Sequence, residues 1–297
     1  MLDNFDRVTH VLEAESAFQK KPVIEVKDMR FSYPDGTPAL LGISLNIYEG
    51  EFIALLGQNG AGKTTFAKTL NGLLKPTEGN VLVKGINTKE KGVVKKLVEQ
   101  VGYVFQNPDH QLFNNEVRKE IAYAPENIGL SKTEVEERVL NAAEVAGIRQ
   151  ELFNMHPFFL QKGLRQRVSI ASILALQPRV IIVDEPTTGQ DFKQSLEVMN
   201  FLKMLNEEQG HTIIIITHEM DIIAKYAKRA IALSMGRVIL DGPTNEVFAQ
   251  SEKLASTFVY PPECTQIAQA LDEFGLSGDI ISVERLQLEY NGVLSGK

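Results

Sequence analysis

The chain has 297 residues, 43% of them hydrophobic, with a formal net charge of −7 and a single cysteine. That length buries a sizeable core and leaves room for one large domain plus appendages, while the acidic balance counts against gripping nucleic-acid phosphates. Cys264 alone excludes an internal disulfide and a cysteine-built metal site, which points to a cytosolic setting.

In chain order, Met1 to Lys20 mixes Asp, Arg, His and Glu without an apolar signal core, so residues 1–22 read as a loosely docked extension rather than a leader. No run of about 18 apolar residues follows, so no spanning helix is expected; no covalent membrane anchor is expected either. Ile24, Val26, Met29 and Phe31, then Ile43, Leu45 and Ile47, sketch short strands around the turn Tyr33-Pro34-Asp35-Gly36. Tyr33 offers a ring to stack beneath an adenine, although a Tyr-Pro pair also serves simply to build a turn.

The apolar run Phe52–Leu56 leads into Gly57-Gln58-Asn59-Gly60-Ala61-Gly62-Lys63-Thr64, a phosphate-binding loop of the form G-x-x-x-x-G-K-[ST]. Thr65 and the residues after it start a helix. The glycines turn successive backbone N–H groups inward, and the helix N-terminus adds a favourable dipole. Lys63 supplies a cation for the outer phosphates, and the Thr64 hydroxyl suits Mg²⁺. A nucleoside triphosphate is the implied ligand.

Further strands are expected at Val101–Phe105, Val180–Val183 and Thr212–Ile216, apolar on both faces as a helix-covered parallel sheet requires. Gln106 follows the first; its amide can accept from a metal-bound water and donate to a phosphate, or be a plain surface amide. Residues 107–175 read as an inserted helical lobe, in which Ser131-Lys132-Thr133-Glu134 is a capping box. Asp184 and Glu185 end the second strand at the crevice edge. Asp184 would hold Mg²⁺ through its water shell, and Glu185 would orient and deprotonate a water. His218, after the third strand, could hydrogen-bond a γ-phosphate, or be a satisfied loop residue. Beyond Gly242-Pro243 the character changes, and residues 246–297 read as a small C-terminal appendage broken by Pro261-Pro262.

The order phosphate loop, Gln106, signature segment, Asp184-Glu185, Thr188-Gly189-Gln190-Asp191 and His218 resembles the ATP-binding cassette (ABC) ATPases over about residues 23–245. The resemblance implies an α/β P-loop NTPase core with a mostly parallel sheet, an N-terminal antiparallel β part and the inserted helical subdomain. It also implies ATP hydrolysis with Mg²⁺, and two subunits sandwiching two ATP molecules. Each nucleotide would meet the signature of the opposite chain, so that this chain's Gln161 and Gly163 would face the partner's nucleotide, with Asp191 at the seam. Phe105-Gln106-Asn107-Pro108-Asp109-His110-Gln111-Leu112-Phe113 and Asp184-Glu185-Pro186-Thr187-Thr188-Gly189-Gln190-Asp191 resemble the ATPases of energy-coupling factor (ECF) importers of vitamins or transition-metal ions. That group implies integral membrane partner subunits, a position at the cytoplasmic face of the cell membrane, and a dimerising C-terminal appendage. The ATPase of another ABC transporter class, a soluble ABC protein of translation or DNA maintenance, and a non-hydrolysing sensor are the competing readings.

One stretch departs from the family. Where its signature reads Leu-Ser-Gly-Gly-Gln, this chain has Leu160-Gln161-Lys162-Gly163-Leu164. Gly163 and the helix start survive, but Gln161 replaces a compact hydroxyl and Leu164 removes a polar side chain, at a cost of about 1.5–3 kcal/mol per lost polar contact to charge. Pairing with a different ATPase that carries an intact signature is the expectation; the alternative is a homodimer that tolerates the substitutions.

Overall fold

The computed structural model of the chain describes residues 21–295, so the expected extension lies outside them apart from Lys21 and Pro22. Two strands, β1 (Ile24–Ser32) and β2 (Pro38–Ile47), form an antiparallel pair that β4 (Glu78–Val83) and β5 (Ile86–Asn87) extend, in the order β2-β1-β4-β5. They are longer than the short strands expected, because the pairing runs from Ile24 opposite Ile47 to Ser32 opposite Pro38 and absorbs register shifts on the way.

The second sheet has six strands, adding β3 (Phe52–Leu56), β6 (Val101–Val104), β7 (Val180–Asp184), β8 (Thr212–Ile216), β9 (Arg229–Ser234) and β10 (Arg237–Pro243) in the order β10-β9-β3-β8-β7-β6. All its pairings are parallel except β10 with β9. β6 stops one residue short of the expected Phe105, because the Phe105 N–H donates to the Gln111 side chain at 3.2 Å. β7 runs one residue further than expected, since Asp184 still pairs with Ile216.

Period-two geometry divides the central strands between two cores. Phe52, Ala54, Leu56, Ile181, Val183, Ile213 and Ile215 face one core, whereas Ile53, Leu55, Val180, Ile182, Ile214 and Ile216 face the other, which also takes in β1 and β2. Burial on both faces explains why these strands read as unbroken apolar runs.

The helices are α1 (Lys63–Leu70), α2 (Val94–Val98), α3 (Val117–Ile128), α4 (Lys132–Val145), α5 (Lys162–Leu174), α6 (Phe192–Glu207), α7 (Met220–Tyr226), α8 (Thr244–Ala249), α9 (Ser251–Ala255), α10 (Glu263–Ala270) and α11 (Val283–Leu294). α3, α4 and α5 pack together between β6 and β7. α4 opens on the capping box, with the Glu134 N–H donating to Ser131 Oγ and the Ser131 N–H to Glu134 Oε2. α10 and α11 close around a small separate core of Ala268, Leu276 and Ile280. No helix among the described residues is long and apolar enough to cross a membrane.

Candidate active site

The loop between β3 and α1 is shaped by glycine at two points. Gly57 has φ +143°, and a Cβ there would lie 2.3 Å from the Leu233 carbonyl oxygen; Gly62 caps α1 at φ +102°. Backbone bonds hold the loop from behind: Ala61 N–H donates to Gln58 O at 3.1 Å and Gly236 N–H to Ala61 O at 3.0 Å. Lys63 folds back over it, donating to Gly57 O at 2.6 Å and Gln58 O at 3.0 Å. Burial holds its ammonium below the usual lysine range, while the Glu185 and Asp184 charges pull the other way. An anion entering the loop would strengthen that pull.

Opposite Lys63, the Thr64 hydroxyl donates to Asp184 Oδ2 at 3.1 Å, and the Tyr103 hydroxyl donates to the same oxygen at 2.7 Å. Burial first, then the Asp184 charge and hydrogen bond, push the Tyr103 phenol far above its ordinary range. It therefore remains a donor across physiological pH. Among the described residues no group of three or more His, Cys, Asp or Glu could hold a metal. One hydroxyl and one carboxylate, both hard oxygen donors, nevertheless suit Mg²⁺, which takes few protein ligands beside substrate phosphates.

Glu185 sits at φ +48°, a left-handed backbone that a non-glycine residue adopts at a cost of about 1–3 kcal/mol. Three bonds hold it there: its N–H donates to Ile216 O at 2.8 Å, Oε2 accepts from the Thr188 hydroxyl at 3.2 Å, and Oε1 lies 3.0 Å from His218 Nδ1. With the carboxylate accepting, Nδ1 carries the proton and Nε2 is left as the ring's acceptor. Tyr33 is anchored by its hydroxyl, 2.8 Å from Thr65 Oγ1, and by an edge-on contact with Phe31. Its ring stays 41% exposed, enough to receive a stacked base.

These groups share one cleft of about 590 Å³. Of the residues singled out in the sequence, Tyr33, Asn59, Gly60, Gly62, Lys63, Thr64, Thr65, Gln106, Asp184 and Glu185 line it. Gly57, Gln58 and Ala61 support it through their backbone, and His218 reaches it through Glu185. Gln161, Gly163 and Asp191 lie elsewhere. Gln161 and Gly163 line a second hollow of about 350 Å³ with Leu164, Arg167 and Gln194, and Asp191 caps α6 by accepting from the Gln194 N–H at 2.8 Å. Gln161 and Gly163 thus line a different hollow from the one that holds Lys63. Gln161 makes no side-chain cap bond at the start of α5, and Leu164 packs against the larger core. The leucine thus adds apolar packing to the helix it opens, besides removing a polar group.

Sequence reasoning missed Tyr103, whose spacing marks it only as a buried strand residue, and Lys162, whose ammonium donates to Thr188 O at 2.9 Å. It also missed Ala39, Met235 and Gly236 on the rim of the cleft, which come from β2 and the β9–β10 turn and carry no motif.

The ABC transporter family profile matches residues 40–188, half of the chain, and spans the phosphate loop and the Asp184-Glu185 pair. The chain belongs to the ABC transporter ATPase family. It is 40% identical over 268 residues to an energy-coupling factor transporter ATP-binding protein, EcfA2, of Caldanaerobacter subterraneus, covering 88% of this chain and 94% of that one. Against the EcfA2 of Clostridium tetani the identity is 35% over 296 residues, covering 98% and 97%. An ABC transporter ATP-binding protein of Caldanaerobacter subterraneus is 47% identical over 86% of this chain, which spans only 44% of that relative's length. Among solved structures, cbiO1 of Clostridium perfringens, part of the ABC transporter complex cbiONQ, superposes with a TM-score of 0.72 at 37% identity, covering 85% of this chain and all of that one. A dimeric ATP-binding cassette in a post-hydrolysis state with ADP and Pi gives 0.66 at 30% identity over 74% of this chain and 98% of its own. The P-loop NTPase cassette fold and an ATPase activity coupled to transport follow from this membership.

Proposed function

We propose that this chain is the ATP-hydrolysing subunit of an ECF-type importer for vitamins or transition-metal ions, working at the cytoplasmic face of the cell membrane beside integral membrane subunits. The convergence of the phosphate loop, Asp184, Glu185 and Gln106 on one cleft carries the ATPase reading. Relatives named as ECF ATP-binding proteins, matched along nearly their whole length, support the importer subtype over an exporter or a soluble cassette protein.

ATP stacks its base on Tyr33 and lays its phosphates in the loop from Gly57 to Thr65. Thr64 and Asp184, with Gln106 nearby, are the groups that would hold Mg²⁺, which when bound neutralises charge on the outer phosphate oxygens. Glu185 takes the proton of the attacking water, and His218 keeps the carboxylate in place. Lys63 offsets the charge that develops on the γ-phosphoryl group. Closure of a second subunit excludes water and strengthens every electrostatic contact inside.

Because Gln161, Gly163 and Asp191 lie away from this cleft, they serve the nucleotide held by the partner. The altered segment from Gln161 to Leu164 then weakens the partner's site and not this chain's own. We take the pair to be a heterodimer whose other member carries an intact signature. Purification of the tagged chain from its native membrane tests both points: a second, different ATPase and ECF-type membrane proteins are expected with it. Recovery of exporter subunits, or of a homodimer with full turnover, would overturn the reading.

A further inference from the structure

Lys162 occupies an odd position. It is the first residue of α5, where the helix dipole disfavours a cation, and Gln161 before it supplies no side-chain cap. The ammonium is instead tied to the loop after β7, donating to Thr188 O at 2.9 Å and Gly189 O at 3.3 Å. Gly189 leaves room for it: a Cβ there would sit 2.4 Å from Lys162 Nζ, at a backbone φ of +71°. Thr188 in turn donates its hydroxyl to Glu185 Oε2 at 3.2 Å and its N–H to the Glu185 carbonyl at 3.3 Å. Glu185 Oε1 then meets His218 at 3.0 Å. One unbroken chain of polar contacts therefore runs from the first turn of α5, in the helical lobe, to the carboxylate beside the phosphate loop.

We propose that Lys162 is a positioning residue for hydrolysis: by fixing the carbonyls of Thr188 and Gly189 it holds the Thr188 hydroxyl on Glu185, so that the signature end of α5 sets the orientation of this chain's own carboxylate. The family's pattern has a glycine at this place, which could form no such tie. A lysine in place of that glycine thus gives the altered signature segment a role inside the same subunit. The glutamate held in a strained backbone geometry is the element with most to gain from an added restraint. A tie of this kind acts on the geometry of attack and leaves the nucleotide contacts alone, so its loss lowers kcat and spares KM.

This inference rests on Glu185 being the base, and the experiment separates the two. In the chain assembled with its partner ATPase and membrane subunits, Glu185→Gln must first be inert; if it turns over normally, the assignment of the base fails, and the proposed tie with it. With that established, Lys162→Met is expected to lower kcat about five- to tenfold with the KM for ATP unchanged, and Lys162→Arg, which keeps a cation within reach, to stay within about twofold of the parent. Thr188→Val should lower kcat similarly, and Lys162→Met in the Thr188→Val background should cost little more. An unchanged kcat in Lys162→Met, a raised KM at constant kcat, or losses in the double variant that multiply would each overturn the proposal; the raised KM would place Lys162 on a nucleotide instead. Should Lys162→Met fail to fold, Lys162→Gln in the same comparison carries the test.

Discussion

Replacing Glu185 by Gln removes a proton acceptor at nearly constant shape, and the contacts around it set the size of the effect. The carboxylate accepts from the Thr188 hydroxyl and lies against His218 Nδ1, and neither contact needs a full charge to persist. A glutamine keeps its oxygen on Thr188 and turns its amide toward His218, whose ring then presents Nδ1 as acceptor. The left-handed backbone is held by the bond to the Ile216 carbonyl, which the substitution leaves alone. What is lost is proton abstraction, worth about 10²- to 10⁴-fold in rate, or roughly 3–5 kcal/mol on the barrier. ATP affinity should hold or tighten a few-fold, because an anion facing the phosphates has gone. Single-turnover hydrolysis beside equilibrium nucleotide binding reads both quantities. Hydrolysis within about threefold of the parent would refute Glu185 as the base, and a collapse of binding would show that it serves the nucleotide instead.

Three other outcomes follow from the same geometry. Lys63→Ala removes the cation and its two bonds to the loop carbonyls, so ATP affinity should fall at least about a hundredfold by calorimetry, at about 1.5–3 kcal/mol per charge-assisted contact. Tyr103→Phe leaves the Asp184 carboxylate one donor short and should weaken Mg²⁺-dependent ATP binding on the order of tenfold, while binding with the metal chelated stays as it was. Asp279 is held down to about 2, chiefly by the Ser277 hydroxyl and then by Arg285 and Asn245. Since its folded value lies below the ordinary carboxylate value, its contribution is complete above pH 4 and fades as pH falls toward 2. Asp279→Asn should therefore cost about 1 kcal/mol near neutrality, after allowance for solvent screening, and progressively less as pH falls through 2, by urea titration.

Sequence alone made the central strands and the phosphate loop legible because their signals are contiguous. Phe52–Leu56 and Thr212–Ile216 are apolar runs that both cores require, and the phosphate-loop motif fills eight consecutive positions, 57–64. What the sequence withheld is pairwise and distant. Tyr103 reaches Asp184 across 81 positions, and Lys162 reaches Thr188 across 26. Both depend on the parallel register of β6 with β7 and on the packing of α5, which no local pattern encodes. The edges of β6 and β7 moved for a related reason, since a side chain at Gln111 ends one strand and a neighbour at Ile216 prolongs the other.

A structure of the Glu185→Gln chain closed with its partner ATPase around magnesium and ATP bears most directly on the central claim. It should show the terminal phosphate within hydrogen-bonding distance of Lys63 Nζ, a water between that phosphorus and the residue-185 side chain, and the partner's signature helix pointing at the same phosphate. An empty phosphate loop, or this chain's own Gln161 segment covering the nucleotide bound by Lys63, would contradict it.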